Sequence, residues 1–380
     1  VRTTDLVAEA ATSWLSSRLT EVPDADRSLV RRRLRDDHAS PLDYDDVHEP
    51  FAAEFLLVNF RKCAAVLAAA RPAVASTVVD IGCGSGAAAA AALAYVFDAG
   101  HRAVQLHLFD RSKRQLDLAV ELVETVAERL KVEWPTFAVE IHRRDGDWPA
   151  DRLPEVAAPA MVLASHVLTE NRTHTEDFLD QAASLAGPRG SLTVIERGDD
   201  RLWTALDGPV AESVLVRRTG RVEVPARTAD GVERTWATRW VTFERSAHPA
   251  CEAAVRGYLT AWRKRDPDRL ADVFTEDALY RDKPFKPPIE GLAGIQEYWR
   301  AEVTSQRDVT VTVHSIAYRP DGALFEWRAR LDRGEDTVKV VYGFMTIEVD
   351  ESGKIWELRE CYRSQRETRD PAVGPRPGDR

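Results

Sequence analysis

Residues 78–86 read Val78-Val79-Asp80-Ile81-Gly82-Cys83-Gly84-Ser85-Gly86, and an alanine run follows from Ala87. Val78, Val79 and Ile81 predict the end of a buried strand, the glycines a turn, and the alanines a helix. Glycine lets the backbone bend sharply and approach a ligand, because no side chain intervenes. The helix start presents unpaired N–H groups, which suits a nucleotide-like guest. This is not a phosphate loop, since no Lys-Ser or Lys-Thr follows the last glycine. The glycine spacing loosely satisfies the dinucleotide fingerprint. Asp80 argues against that reading, because a carboxylate before the first glycine would repel a pyrophosphate. It suits a cationic ligand. The alternative is an ordinary strand–turn–helix joint.

On Asp80-Ile-Gly-Cys-Gly-Ser-Gly86 the chain resembles motif I of the class I S-adenosylmethionine-dependent methyltransferases. The resemblance implies a Rossmann-like α/β domain over 76–246. It implies S-adenosylmethionine as cofactor and S-adenosylhomocysteine as product. Asp80, Gly82, Cys83, Gly84 and Gly86 would then meet the cofactor.

The next strand, Val104–Phe109, ends at Asp110. An acid at that strand end can accept both ribose hydroxyls, and it corresponds to the ribose-binding acid of the methyltransferases, with Arg111 beside it. His107, inside the strand, reads as a core histidine. Phe137–His142 is the third strand, followed by Arg143-Arg-Asp-Gly-Asp-Trp148. In the methyltransferase pattern an acid here meets the adenine amino group and an apolar neighbour packs on the ring. Asp145 or Asp147 fits the first role, with Gly146 between them, and Trp148 fits the second; a plain polar turn is the alternative.

The fourth strand, Ala160–Ser165, leads into His166-Val-Leu-Thr-Glu-Asn171. Open α/β sheets bind ligands at the carboxyl ends of their strands. This places Ser165 at the cofactor and His166, Glu170 and Asn171 near the reacting centre. His166 is the candidate general base, since its ordinary pKa lies near neutrality; a packing role at the strand end is the alternative. Glu170 is the second catalytic candidate and Asn171 a substrate candidate. The fifth strand, Ser191–Gly198, brings Glu196 to the same rim. No Asn-Pro-Pro-Tyr motif of amide or exocyclic-amine methylation is present. Ala164–Glu170 and Val194–Gly198 are loosely similar to a methyltransferase-like family associated with ribosomes, whose cysteine metal ligands are not evident.

Before motif I, residues 1–75 predict helices. Leu6, Ala10, Trp14 and Leu15 recur at helical spacing, as do Leu29 and Leu34, and an amphipathic helix starts at Phe51. Methyltransferase resemblance implies a lid over the cofactor, with Tyr44, His48, Glu49 and Asn59 as lid or substrate residues; a solvated helix surface is the alternative. Arg31, Arg32 and Arg33 read as such a solvated face. After the fifth strand, Val214–Val216, Val222–Val224 and Thr235–Phe243 alternate as strands, and Ala229-Asp-Gly231 is a turn signal. A class I sheet commonly ends in an antiparallel hairpin.

The 380 residues exceed what one core usually holds, so two domains are expected. A net charge of −10 argues against a sequence-independent grip on nucleic acid. The four cysteines have neither zinc-ligand spacing nor the density of a secreted disulfide scaffold. With no signal peptide and no membrane-length apolar run, a cytoplasmic, metal-free protein without membrane partners is expected. The chain starts at Val1 without Met, which points to a processed or trimmed end.

A new pattern starts after Ser246–Ala250. Val255, Leu259 and Trp262 share one helix face, Pro267 opens a second helix, and a third carries Ile295, Tyr298 and Trp299. Long alternating strands follow at 309–318, 323–331, 337–349 and 355–362. Helices followed by a run of strands predict an α+β cone over 247–368. Residues 250–365 resemble the NTF2-like superfamily, in its polyketide-cyclase-like and ketosteroid-isomerase-like branches. There Tyr258 matches the oxyanion tyrosine and Asp282 the general base. The second oxyanion acid lacks a counterpart, since the strand from Lys339 to Thr346 carries no carboxylate. The three groups work together in the isomerase site, so cone chemistry is not assigned at this point. Asp282 is either a pocket carboxylate or a turn residue, Tyr258 a substrate candidate, and Trp299, Trp327 and Trp356 fill the cone. Such cones often pair through their sheets, so a homodimer is expected. The tail, 369–380, reads as disordered.

The expected function is methyl transfer to a small molecule in bacterial specialised metabolism, with the cone shaping the pocket or the dimer. One alternative is a bifunctional methyltransferase with a cyclase or isomerase cone. The other is a non-catalytic cofactor-binding assembly protein.

Overall fold

The computed structural model describes residues 2–35, 43–148, 150–168, 174–197, 203, 216–227, 233–332 and 337–368. The chain divides into two compact units, with the boundary between Arg245 and Ser246.

The first unit begins with helices α1 (Thr3–Arg18), α2 (Asp24–Arg35) and α3 (His48–Ala70). Helix α1 buries Leu6, Ala10 and Trp14, as their spacing predicts. Helix α2 turns Val30 inward instead of Leu29, which stays 37% exposed. Arg31 is not part of a solvated face either. It bonds both carboxylate oxygens of buried Glu54 on α3, at 3.0 and 3.1 Å.

Strand β1 (Thr77–Ile81) is buried throughout. Helix α4 (Ala87–Asp98) carries the alanine run and is buried along all of it. Strand β2 (Ala103–Asp110), helix α5 (Lys113–Glu133), β3 (Ala138–Asp145), β4 (Ala160–Ser165), α6 (Thr175–Ala186) and β5 (Ser191–Arg197) continue the alternation. Ser112 caps α5 by accepting the Gln115 N–H at 3.1 Å. After β5 come two long strands, β6 (Val216–Arg227) and β7 (Glu233–Glu244), which contain the expected Val222–Val224 and Thr235–Phe243; Val214 and Leu215 lie outside the described residues. The sheet order is β3-β2-β1-β4-β5-β7-β6. Strands β1 to β5 pair in parallel, and β7 joins β5 antiparallel. The order reverses between β1 and β4. At such a switch point the loops at the strand ends part and leave a crevice.

In the second unit Pro249 occupies the first turn of α7 (Pro249–Lys264). A short 3₁₀ turn and α8 (Leu270–Val273) replace the full second helix that was expected. A strand that the sequence pattern did not predict, β8 (Phe274–Arg281), follows, and β9 (Ile289–Glu290) and α9 (Gly291–Thr304) come next. Strands β10 (Asp308–Arg319), β11 (Gly322–Asp332), β12 (Thr337–Val349) and β13 (Ile355–Thr368) close an α+β domain. Its sheet order is β10-β11-β12-β13-β8-β9. Only the β13–β8 pairing is parallel. Val255, Leu259, Trp262, Trp299 and Trp327 share one buried cluster. Trp356 does not fill the cone, being 43% exposed. Strand β13 ends at Thr368, and the expected tail, 369–380, lies outside the described residues.

Candidate functional sites

At the β1/β4 switch point a cavity of about 140 Å³ opens beside the glycine turn. Gly82, Cys83, Gly84, Asp110, Arg111, Gly146, Asp147, Trp148, Ser165, His166, Tyr44 and Asn59 all line it. The turn needs its first glycine: Gly82 has φ +64°, and a Cβ there would lie 2.6 Å from Val167 Cγ2.

Asp80 stands behind the wall, wholly buried. Its Oδ2 accepts the Ala89 N–H at 2.9 Å and so caps the start of α4. Its Oδ1 has no hydrogen-bond partner. Burial, and then the nearby Asp110 carboxylate, push its pKa up to about 8 against that backbone bond. Asp110 spends one oxygen on the Gly84 N–H at 2.7 Å and the other on the Ser112 N–H at 2.9 Å. It therefore braces the glycine turn as well as facing the cavity. Gln115, which the sequence did not single out, is 1% exposed, lines the cavity, and has neither amide atom hydrogen-bonded. Buried polar groups normally find partners, so the unsatisfied atoms of Asp80 and Gln115 fit a ligand that carries both a cation and mixed donors and acceptors.

Several expected residues sit elsewhere. Gly86 does not line the cavity. Its φ is +87°, and a Cβ would meet the Ala119 Cα at 3.0 Å, so the glycine lets α4 approach α5. Gly86→Ala is expected to lower stability by about 1–3 kcal/mol, measured by urea unfolding. Of the two candidate acids, Asp145 is excluded from the cavity. Strand β3 runs three residues further than expected, which turns Asp145 outward to Lys113 at 3.3 Å. That hydrogen bond, foremost, holds its carboxyl below the usual range. Trp148 is buried, with its ring edge-on to Phe178 at 4.9 Å. His48 faces its own loop, its Nδ1 2.8 Å from the Asp45 carbonyl, and does not line the cavity. Glu49 pairs with Arg18. Glu196 is fully buried and makes no wall; it accepts the Leu168 N–H at 2.8 Å and lies 3.7 Å from His166 Nδ1. His166 has φ +64°, the left-handed conformation. Burial, foremost, and the nearby Lys62 ammonium hold its pKa below the ordinary value, while Glu196 opposes them. Glu170 and Asn171 lie outside the described residues.

A second cavity, of about 60 Å³, lies inside the C-terminal domain. Tyr258 on α7, Tyr280 on β8 and Glu360 on β13 meet there. The Tyr258 hydroxyl donates to Glu360 Oε1 at 2.9 Å, and that of Tyr280 to the same oxygen at 2.5 Å. Burial, foremost, and the Asp282 carboxylate push Glu360 up to about 7, and the two phenols restrain the rise. Asp282 also lines this cavity, accepting the Tyr362 hydroxyl at 2.9 Å. It is a pocket carboxylate, not a free turn residue. A second carboxyl that the sequence reading did not find, Glu360, therefore shares this cavity with Asp282. It comes from the last strand, at an inward position between Leu358 and Tyr362. That alternation was the available signal. Trp299 and Trp327 line the cavity too, whereas His314 is exposed beside Tyr342.

Residues 255–358 match the SnoaL-like domain family, so the NTF2-like reading of the C-terminal half stands. Among solved structures, the Δ5-3-ketosteroid isomerase of a Mycobacterium species is 17% identical. It covers 31% of this chain and 98% of its own, with a TM-score of 0.29. An LEH-like epoxide hydrolase of M. tuberculosis is 21% identical over 30% of this chain and 84% of its own, with a TM-score of 0.28. The epoxide hydrolase/cyclase-like enzyme of pyran ring formation in the polyether salinomycin is 21% identical. It covers 30% of this chain and 92% of its own, with a TM-score of 0.28. No curated protein matches the chain. Among the described residues no helix is long and apolar enough to cross a membrane.

Proposed function

We propose that the chain is a two-site enzyme of small-molecule, natural-product metabolism. Its first unit uses S-adenosylmethionine to methylate a small molecule. Its SnoaL-like domain moves a proton on a carbonyl compound, as cyclases and isomerases do. The observation that carries this reading is the presence of two chemically unlike cavities, one in each unit, both lined by ionisable groups that the fold holds in place.

For the first site, support comes from the switch-point location, the unsatisfied Asp80 and Gln115 atoms, and Asp110 at the wall. The cofactor would supply an electrophilic methyl group. Asp80 would answer its positive end, Asp110 and Gln115 its ribose and base, and Trp148 would pack on the adenine. His166 would accept a proton from the acceptor, with Glu196 behind it to orient the ring. Calorimetric titration with S-adenosylmethionine tests this half.

For the second site, Asp282 would take a proton from the carbon beside a carbonyl. Tyr258 and the protonated fraction of Glu360 would stabilise the oxyanion that forms. Analysis of products with Asp282→Asn tests this half.

A homodimer through the cone sheet is part of the same reading. Leu324, Tyr342, Phe344 and Trp356 are the large apolar residues exposed on β11, β12 and β13, at 43–51%. Apolar exposure concentrated on one sheet marks an association surface. Sedimentation should show a dimer, and Phe344→Asp should convert it to monomer. A monomeric native protein removes this part of the proposal.

A further inference from the structure

Lys62 is the group in the first unit that its neighbours explain least. It lies on α3, one helical turn after Asn59, and is 6% exposed. Its ammonium donates to Asn59 Oδ1 at 3.3 Å and stands 4.7 Å from the centre of the Trp236 ring. Among the described residues no carboxylate pairs with it, and a second cation, Arg197, acts on it. Burying an ammonium without a counter-ion is costly. The fold retains it all the same, and burial pulls its pKa down only to about 8.

Its position gives that charge an outlet. Asn59 lines the cavity together with Ser165 and His166. Its amide oxygen is committed to Lys62, so the donors of its Nδ2 are what it has left to offer. A positive charge behind those donors strengthens them toward an anion. The same ammonium acts on His166, which lines the cavity as well. The wall at the carboxyl end of β4 is therefore donor-rich at Asn59, with the Lys62 ammonium behind that amide and the Glu196 carboxylate behind His166.

We propose that Lys62 and Asn59 form an oxyanion-binding wall, and that the methyl acceptor is a compound with an acidic hydroxyl, of the phenol or enol class, held there as its anion. This rests on the methyl-transfer reading for the word acceptor, but the anion site itself does not. An amine acceptor is disfavoured, since its protonated form would face donors backed by the Lys62 charge.

The test uses 4-nitrophenol, whose visible absorbance reports its own ionisation, and 4-nitroanisole as the neutral comparator. With the full chain, bound nitrophenol should ionise at a pH about one unit lower than in solution, a tenfold preference for the anion. Nitroanisole should bind at least tenfold more weakly. Lys62→Met, which keeps the length and apolar stem of the side chain, should abolish the shift, and Asn59→Leu should reduce it. Thermal melting of both variants reports whether they fold. A shift that survives in a folded Lys62→Met protein overturns the proposal, as does equal binding of the two probes. S-adenosylmethionine titration on the same samples separates the two ideas. Nitrophenolate binding without cofactor binding leaves the anion site standing and removes methyl transfer. Cofactor binding with no preference for the anion does the reverse.

Discussion

Asp80→Asn is expected to weaken S-adenosylmethionine binding by about 10- to 100-fold and, at the same time, to stabilise the ligand-free protein near pH 8. Both effects follow from one carboxyl group. Asp80 is fully buried, and its pKa is pushed up to about 8, chiefly by that burial. The folded value thus lies above the unfolded one, 3.8. Below the unfolded value both states are protonated and the group costs nothing. As pH rises from there to about 8, the unfolded chain releases a proton that the folded protein keeps, and stability falls; above that it levels off. Asparagine keeps the oxygen that caps Ala89 and has no proton to lose, so its stability should be flat across the same window. A cationic ligand reverses the balance, because it needs the carboxylate. Binding to the native protein should therefore release a proton and tighten as pH rises toward about 8. Calorimetry in buffers of different ionisation heat measures that proton directly. Native affinity that ignores pH, or is untouched in the variant, would show that Asp80 is only a helix cap.

Asp282→Asn should lower turnover in the SnoaL-like domain by about 10²- to 10⁴-fold while methylation continues at its native rate. The carboxylate is held by Tyr362 at 2.9 Å and lies 3.9 Å from the Lys283 ammonium, so the amide fits the same place without the ability to take a proton. Glu360 supplies a second signature. Its pKa of about 7 means that the acid is progressively deprotonated as pH rises through neutrality, and a donor to a forming oxyanion is lost. Turnover should fall on the alkaline side with a midpoint near that value, and Glu360→Gln, which remains a donor, should lose this limb. Mass analysis of products, run beside transfer of a labelled methyl group, separates the two activities. If the second product persists unchanged in Asp282→Asn, the domain binds or assembles and does no chemistry.

The parts of these sites that could be read in advance were local ones. The glycine turn, Asp110, Trp148 and His166 each follow from a strand end and a short spacing, and all four reach the cavity wall. What escaped depended on distant partners or on parity. Glu360 meets Tyr258 across 102 positions, and a register irregularity between Ile355 and Glu357 hides which residues of β13 face inward. The neighbouring strand carries no carboxylate from Lys339 to Thr346, so nothing local pairs with Tyr258. Strand β8 was missed because its partner, β13, comes at the end of the chain. Asp145 and Asp147 could not be told apart until the end of β3 was known, since a few more residues of strand turn one of them outward. Lys62 lies within the amphipathic helix predicted from Phe51, and only Trp236 on β7 shows it to be covered.

The run Ala87–Ala92 has one more consequence, for mutational drift. All six side chains are at most 9% exposed, and at Ala89 to Ala92, which do not line the cavity, close packing leaves room for little more than a methyl group. A single-nucleotide change in an alanine codon gives valine, threonine, serine, proline, glycine, aspartate or glutamate. Each of these overfills the space, buries a polar group or weakens the helix, at about 1–3 kcal/mol apiece. This stretch therefore has almost no neutral neighbours one step away. In a screen scored by activity its variants would look like active-site losses, because they adjoin the glycine turn, yet they would fail by unfolding. Soluble yield measured alongside activity would tell the two apart.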